Sequence, residues 1–382
     1  MLDVQAPPVE AKHAEELSFL AAYDPGPRPP GWKLTPRAVV TFVVGSGGDK
    51  LKLAEPVEGL PSTLEIPEKF VGDRALVERC VVTLAGDRGL MLVGEPGTAK
   101  SMLSALLAAA VSGTSRLVVQ GTAGSTEDQF RYGWNYALLL AKGPHPEALT
   151  PSPVLTGMRR GAVVRIEELT RCLPEVQDAM VSVLSERVLA VPELVGEDGD
   201  ALVEAARPGF NVIGTANLRD RGVSEMSAAL KRRFNFEMVH PIADLQREKA
   251  LVRRQAVAVL ERSGQALEVD DAVLEVLVTA FRDLRSGRSA EGWAVERPGT
   301  VMSTAEAVAV ASSLGLSTAY FQRGRDPASL IPGYLLGVVL KDDDKDRAKL
   351  LSYWDGSVKR RADGGARIWK RMLELRSVLE ET

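Results

Sequence analysis

Between residues 66 and 240, short apolar runs alternate with stretches of helical period. RGLMLVG (88–94), RLVVQ (116–120), AVVRIEE (162–168), FNVIGTAN (210–217) and NFEMV (235–239) are brief and bounded by polar or glycine positions. Such runs suit strands of a buried parallel sheet. Val71 to Leu84 carries apolar residues at helical spacing. In SMLSALLAAAVSG (101–113), Met102, Leu103, Leu106, Leu107 and Ala110 share one helical face before Gly113 closes the helix. Strand and helix alternating in this way predict an α/β fold, a parallel five-stranded sheet flanked by helices.

Beyond Pro241 the strand-like runs stop, and helical patterns continue from Asp244 to Thr382, with breaks near Gly264, Arg285–Gly299 and Gly324–Pro327. Val301 to Phe321 is the longest weakly polar stretch. Its Glu306 and many hydroxyl residues make it a lid helix and not a membrane span. Ahead of Ile66, DPGPRPPGWK (24–33) is too proline-rich for regular helix, while AVVTFVVG (38–45) adds a strand or a helix. The expected division is an N-terminal extension (1–65), an α/β domain (66–240), an all-helical lid domain (241–341) and a C-terminal helical extension (342–382). In the last, Trp354, Trp369, Ile368, Met372, Leu375 and Leu379 are expected to pack on the lid or on a neighbouring molecule.

Composition excludes several classes of function. With 47 Lys and Arg against 51 Asp and Glu, the net charge is −4, so no basic surplus invites nucleic acid or an anionic membrane. Cys80, Cys172, His13, His145 and His240 are scattered, without metal-ligand spacing or a disulfide framework. A reducing, cytoplasmic setting fits this usage. The acidic N-terminus, MLDVQAPPVEAKHAEELSF, lacks the apolar core of a signal peptide.

GEPGTAKS (94–101) stands between a predicted strand and a predicted helix, the context a phosphate-binding loop requires. Gly94 and Gly97 let the backbone turn its N–H groups inward, where they and the helix N-terminus bind phosphate oxygens. The nucleotide-binding residues are then Gly94, Glu95, Pro96, Gly97, Thr98, Ala99, Lys100, Ser101 and Met102. Lys100 reaches the β- and γ-phosphates of ATP, and Ser101 places its hydroxyl on Mg²⁺. Ala99 occupies a position where glycine is usual, and is tolerable there if its φ is negative. The alternative is a glycine-rich turn that binds nothing.

AVVRIEE ends in Glu167 and Glu168. On a strand, successive side chains point to opposite faces, so one acid can hold the Mg²⁺ water shell while the other orients the attacking water. Aspartate followed by glutamate is the usual pair in such ATPases. One extra methylene at the first acid suits a water-mediated contact. The alternative is a pair of exposed strand-end acids. Asn217 ends another apolar run, where an amide could position the lytic water or simply form a turn. In SAALKRRF (227–234), an arginine just before the next strand could reach a neighbouring subunit's nucleotide, or belong to a solvated basic face.

Taken together, these four stretches resemble an AAA+ ATPase, and look most like the MoxR group of the helix-2-insert clade. GEPGTAKS matches that group's phosphate loop, in which alanine before the lysine is common. VVRIEELTR with PEVQDAMVSVLSERVL resembles its Walker B strand and following helix, and GTANLRDRGVSEMSAALKRRF its sensor 1 and arginine-finger region. GTAGSTEDQFRYGWNYA, RIEELTR and GTVMSTAEA look like a bacterial subgroup encoded beside von Willebrand factor A-domain and SWIM zinc-finger proteins.

The resemblance implies an AAA+ P-loop NTPase core with a helical lid. Lys100 becomes the Walker A lysine, Ser101 and Glu167 hold Mg²⁺, Glu168 is the catalytic glutamate and Asn217 is sensor 1. Arg233 is the finger, with Arg232 the runner-up. A pore-side insert is implied at 121–161, containing Asp128, Tyr132, Trp134 and Tyr136, and a hairpin before sensor 1 at 189–211 with GEDGD at its tip. Ala305 falls where a sensor 2 arginine is expected, and Arg297 is a possible substitute. The implied activity is Mg²⁺-dependent ATP hydrolysis by a homo-oligomeric, hexameric ring that remodels a partner protein in a chaperone-like way, with a von Willebrand factor A-domain adaptor. The alternatives are an ATP-binding scaffold with weak hydrolysis and, less supported by the acidic charge balance, a nucleic-acid motor.

Overall fold

The computed structural model of the chain describes residues 6–195, 199–217, 224–265, 270–321, 326–341 and 343–380. It divides into two compact units, Met1–Glu95 with Ala99–Val239, and His240–Thr382 with Pro96–Thr98.

The first unit begins with helices α1 (Val9–Lys12), α2 (Ala14–Tyr23) and α3 (Pro36–Val44), then an antiparallel pair, β1 (Lys50–Lys52) and β2 (Thr63–Glu65). AVVTFVVG is therefore helix. Thr35 caps it by accepting from the Ala38 amide, Pro36 sits in its first turn, and Gly45 ends it at φ 82°. Val39, Val40, Phe42 and Val43 of α3 share one buried cluster with Leu103, Leu106 and Leu107. The N-terminal stretch is thus part of the core under the phosphate loop.

The sheet unit continues through α4 (Arg74–Ala85), β3 (Gly89–Val93), α5 (Lys100–Ser112) and β4 (Val118–Gln120). Next come β5 (Tyr132–Trp134), α6 (Tyr136–Lys142), β6 (Leu149–Pro151), α7 (Pro153–Arg160) and β7 (Val163–Glu167). The short helices α8 (Pro174–Asp178) and α9 (Met180–Ser185) lead to β8 (Val188–Val195) and β9 (Ala201–Ala205). The unit ends with β10 (Asn211–Ala216), α10 (Ala228–Lys231) and β11 (Phe234–Met238). Five strands form one parallel sheet in the order β11-β3-β10-β7-β4. The inner strands β3 and β10 are buried at every residue, which is why they read as unbroken apolar runs. Asn211 pins the turn that feeds β3: its amide donates to the carbonyls of Leu84, Gly86 and Arg88 at 3.1, 3.3 and 3.2 Å.

Antiparallel hairpins occupy the two stretches 121–161 and 189–211: β5 pairs with β6, and β8 with β9. Of the GEDGD stretch expected at the tip of the second, Gly196, Glu197 and Asp198 lie outside the described residues. The hairpins brace one another. Tyr132 donates its hydroxyl to Glu193 Oε2 at 2.7 Å, and Arg131 donates to the Ala190 carbonyl at 3.0 Å. Tyr132 is buried and meets Trp134 edge-on, whereas Tyr136 is 70% exposed.

The second unit is helical: α11 (Leu245–Arg262), α12 (Asp271–Ser286), α13 (Thr304–Tyr320), α14 (Ile331–Val339), α15 (Asp346–Tyr353), α16 (Lys359–Asp363) and α17 (Arg367–Glu374). A capping box formed by Ser303 and Glu306 starts α13. Trp354, Trp369, Met372 and Leu379 lie in one core with Leu277, Phe281 and Leu314. Trp354 Nε1 donates to the Met372 carbonyl at 2.8 Å. Arg361 is held between Trp293 and Trp369 and pairs with Asp283 and Glu291 at 2.8 and 2.7 Å. Residues 343–380 therefore supply part of the core of the helical unit. Among the described residues, no helix is long and apolar enough to cross a membrane.

Candidate active site

The carboxyl ends of β3, β10 and β7 lie side by side, with Val93 level with Ala216 and Ile166 level with Gly214. Loops leave the sheet there, the edge at which open parallel sheets bind ligands. The loop after β3 enters α5 at Lys100. Gly97 has φ 75° and Ala99 has φ 65°, ψ 25°, both left-handed. The negative φ expected at Ala99 is thus not found. The chain needs a left-handed residue to swing from the loop into the axis of α5, and Ala99 is that residue. The conformation costs alanine about 1–2 kcal/mol, a strain of the kind that ligand-binding loops store. Ala99→Gly is expected to raise stability by about 1 kcal/mol. A thermal unfolding midpoint that stays put or falls would show the residue to be unstrained.

Lys100 folds back across the loop, its Nζ donating to the Gly94 and Glu95 carbonyls at 2.8 and 2.7 Å. Burial lowers its pKa, opposed by the charges of Glu168, Glu167 and Glu95.

Glu167 closes β7 and is 5% exposed. Its Oε2 accepts from Ser101 Oγ at 2.6 Å and Thr215 Oγ1 at 2.8 Å. Its Oε1 accepts from Ser104 Oγ at 2.6 Å and Arg165 Nη2 at 2.7 Å. A carboxylate offers about four lone-pair sites, and four donors share them here; a water donating from a bound cation would take the place of one of these donors. Burial pushes the Glu167 carboxyl up, but the hydroxyls of Ser101, Ser104 and Thr215 and the Arg165 charge outweigh it and hold the group below its ordinary range. Thr215, on the neighbouring strand, also accepts from the Glu168 amide at 2.9 Å, and so joins the two acids.

Glu168 departs from the strand alternation expected of it. It lies beyond β7 at φ 54°, ψ 45°, so a left-handed turn, not the pleat, separates the two carboxylates. Its side chain is 46% exposed and pairs with Arg171. Gly121 makes room for this turn. Its amide donates to the Glu167 carbonyl at 2.7 Å, and a methyl on it would lie 2.4 Å from the Glu168 carbonyl oxygen.

Asn217 follows β10 directly and is half-buried; the rest of its motif, Leu218–Gly222, lies outside the described residues. Arg232 and Arg233 sit at the other end of the sheet. Phe234 is level with Gly89, whose amide donates to the Arg233 carbonyl at 2.9 Å. The five residues of β3 put roughly 13 Å of strand between them and the phosphate loop. Arg233 is turned onto its own chain, donating to the Ala229 carbonyl at 2.5 Å and to Ser185 Oγ. Arg232 is exposed. In the helical unit, Ala305 is exposed in the first turn of α13, and Arg297 is exposed as well. Arg285 holds the start of that helix, donating to the Met302 carbonyl at 3.1 Å and to both Glu248 oxygens at 3.0 Å.

The fold therefore brings Lys100, Ser101, Glu167 and Glu168 to one sheet edge and keeps the two arginines away from it. Among the described residues, no group of three or more His, Cys, Asp or Glu could cage a metal. Mg²⁺ takes one or two protein oxygens plus phosphates and waters, and the hard oxygens of Ser101 and Glu167 fit that need. Sequence reasoning missed Ser104, Arg165 and Thr215. Arg165 was visible as a lone charge inside an apolar run. The hydroxyls carried no signal, because only the fold brings them to one carboxylate.

Residues 89–234 match the AAA domain (dynein-related subfamily) family, and residues 246–380 match the YehL-like AAA+ ATPase C-terminal domain. YehL of Escherichia coli (strain K12) is 47% identical over 356 residues, covering 93% of each chain. A protein of Staphylococcus haemolyticus (strain JCSC1435) is 27% identical over 201 residues, 52% of this chain and 69% of that one. Among solved structures, the RuvB Holliday junction branch migration motor of Thermotoga maritima aligns at a TM-score of 0.45 and 17% identity, covering 76% of this chain and 78% of that one. The near full-length likeness to YehL, with the two domain matches in order along the chain, carries the conclusion: this chain belongs to the YehL-like AAA+ ATPase family.

Proposed function

We propose that the protein hydrolyses ATP with Mg²⁺ as a hexameric ring and uses the cycle to remodel or activate a partner protein. The observation that carries this reading is the continuous chain of hydrogen bonds Ser101–Glu167–Thr215–Glu168, which ties the phosphate loop to both acids. The loop amides cradle the phosphates. Lys100 exchanges the carbonyls of Gly94 and Glu95 for the β- and γ-phosphate oxygens. Ser101 donates its proton to Glu167, which leaves its oxygen lone pairs open to a cation. Ser101 and Glu167, the latter through water, are the residues that would hold Mg²⁺, whose charge neutralises the phosphates. Glu168 leaves Arg171 to orient the attacking water, with Asn217 beside it.

An arginine from the neighbouring subunit completes the site, since Arg232 and Arg233 stand at the far end of their own sheet. The exposure of Arg232 and the internal bonds of Arg233 favour Arg232 for that role. The MoxR-like motifs support a von Willebrand factor A-domain adaptor, and exposed Tyr136 and Leu140 on α6 are available to a protein partner. In a dilution series, specific ATPase activity is expected to fall as the ring dissociates; a constant value through dissociation would remove the ring from this reading. A second reading, an ATP-binding scaffold with weak hydrolysis, draws support from the Glu168–Arg171 pair, which occupies the very carboxylate that would orient water.

A further inference from the structure

Arg165 is two residues before Glu167 on β7, and so shares its face of the sheet. The Arg165 side chain is 12% exposed, and all three nitrogens of its guanidinium donate. Nε donates to Ser104 Oγ at 2.9 Å, Nη1 to the Ser115 carbonyl at 3.0 Å, and Nη2 to the Ser101 carbonyl at 3.1 Å and Glu167 Oε1 at 2.7 Å. One rigid planar group thus grips the backbone of Ser101 and also the carboxylate that faces the Ser101 hydroxyl. Ser104, one turn along α5, donates to the same Oε1. With Oε1 held on this side, Oε2 alone meets Ser101 and Thr215.

We infer that Arg165 and Ser104 are positioning residues for the metal-site carboxylate, and that their grip makes glutamate the acid this site requires in place of the usual aspartate. The inference rests on the ATPase reading above. An aspartate is shorter by one C–C bond, about 1.5 Å. From the same backbone it cannot reach both the Arg165–Ser104 side and the Ser101–Thr215 side. It must give up one pair of bonds, and the Ser101 hydroxyl then loses its fixed orientation.

The test titrates MgCl₂ against a fixed concentration of a fluorescent N-methylanthraniloyl ATP, reading binding by anisotropy, with a parallel series in EDTA. Glu167→Asp is expected to raise the half-saturating Mg²⁺ concentration about tenfold, and Ser104→Ala about threefold. Arg165→Met should match Glu167→Asp, and Arg165→Lys should recover part of the loss. For Ser104→Ala, metal-free nucleotide binding should stay within about twofold of the unsubstituted protein, a pattern that general destabilisation would not produce. Arg165→Met leaves a buried carboxylate short of its partner; if it fails to fold, Ser104→Ala and Glu167→Asp decide the matter. Unsubstituted protein that responds to Mg²⁺, with Ser104→Ala and Glu167→Asp matching it, overturns the inference alone. Unsubstituted protein that binds nucleotide equally with and without Mg²⁺ overturns both the inference and the reading beneath it.

Discussion

Glu168→Gln is expected to slow ATP turnover by about 10²–10⁴-fold while nucleotide binding is retained. The backbone of Glu168 is fixed from two sides, by the Thr215 hydroxyl on its amide and by the close approach of Gly121 to its carbonyl. The side chain is half exposed at the sheet edge that carries the phosphate loop. Glutamine keeps the size and one acceptor but loses the charge that draws a proton from water. The substitution breaks none of the hydrogen bonds that Lys100, Ser101 and Glu167 make, so the binding contacts stay in place. Phosphate release in the steady state measures the first effect, and anisotropy of a fluorescent ATP the second. Equal turnover by the two proteins would favour the scaffold reading, in which the Glu168–Arg171 pair is the resting arrangement and hydrolysis is incidental.

Arg232→Ala is expected to lower turnover by about 10³-fold or more, the range of an arginine finger, and Arg233→Ala by much less. The argument is geometric. Both residues precede β11, whose first residue is level with the start of β3, not with its end. Neither can serve the site of its own chain, and Arg233 is already committed to Ala229 and Ser185. Mixing gives the sharpest check. Lys100→Ala protein carries a good Arg232 and a dead loop, while Arg232→Ala protein carries the reverse. A mixed ring pairs the intact loop of one with the intact arginine of the other, so the mixture should exceed the sum of its parts. Activity that never rises above that sum would exclude an arginine acting across subunits. An Arg233→Ala loss larger than that of Arg232→Ala would return the role to Arg233.

Much of the sheet was legible because its three inner strands, β3, β10 and β7, are buried almost throughout. Such strands must be almost continuously apolar, and the short runs that form the sheet stand out between residues 88 and 239. The phosphate loop was legible for a related reason: glycine and lysine at fixed spacing between a strand and a helix leave little else for the segment to be. AVVTFVVG was not, since a short apolar run has no period long enough to separate strand from helix; Thr35 and Pro36 decided it through the cap they form. The packing of residues 343–380 was half legible. The apolar positions were visible, but their partner was not.

By itself the sequence determined the α/β order, the position of the phosphate loop and the acids at the end of AVVRIEE. Each of these depends on residues adjacent in the chain, where period and spacing act directly. The tertiary structure alone decided the left-handed Ala99 and Glu168, the inward turn of Arg233, and the ring of Ser101, Ser104, Arg165 and Thr215 around Glu167. These features join residues up to 114 positions apart, Ser101 to Thr215. No local rule of spacing reaches that far. They exist because a parallel sheet sets the ends of β3, β10 and β7 beside one another, and a buried carboxylate there must find four donors or lose its charge.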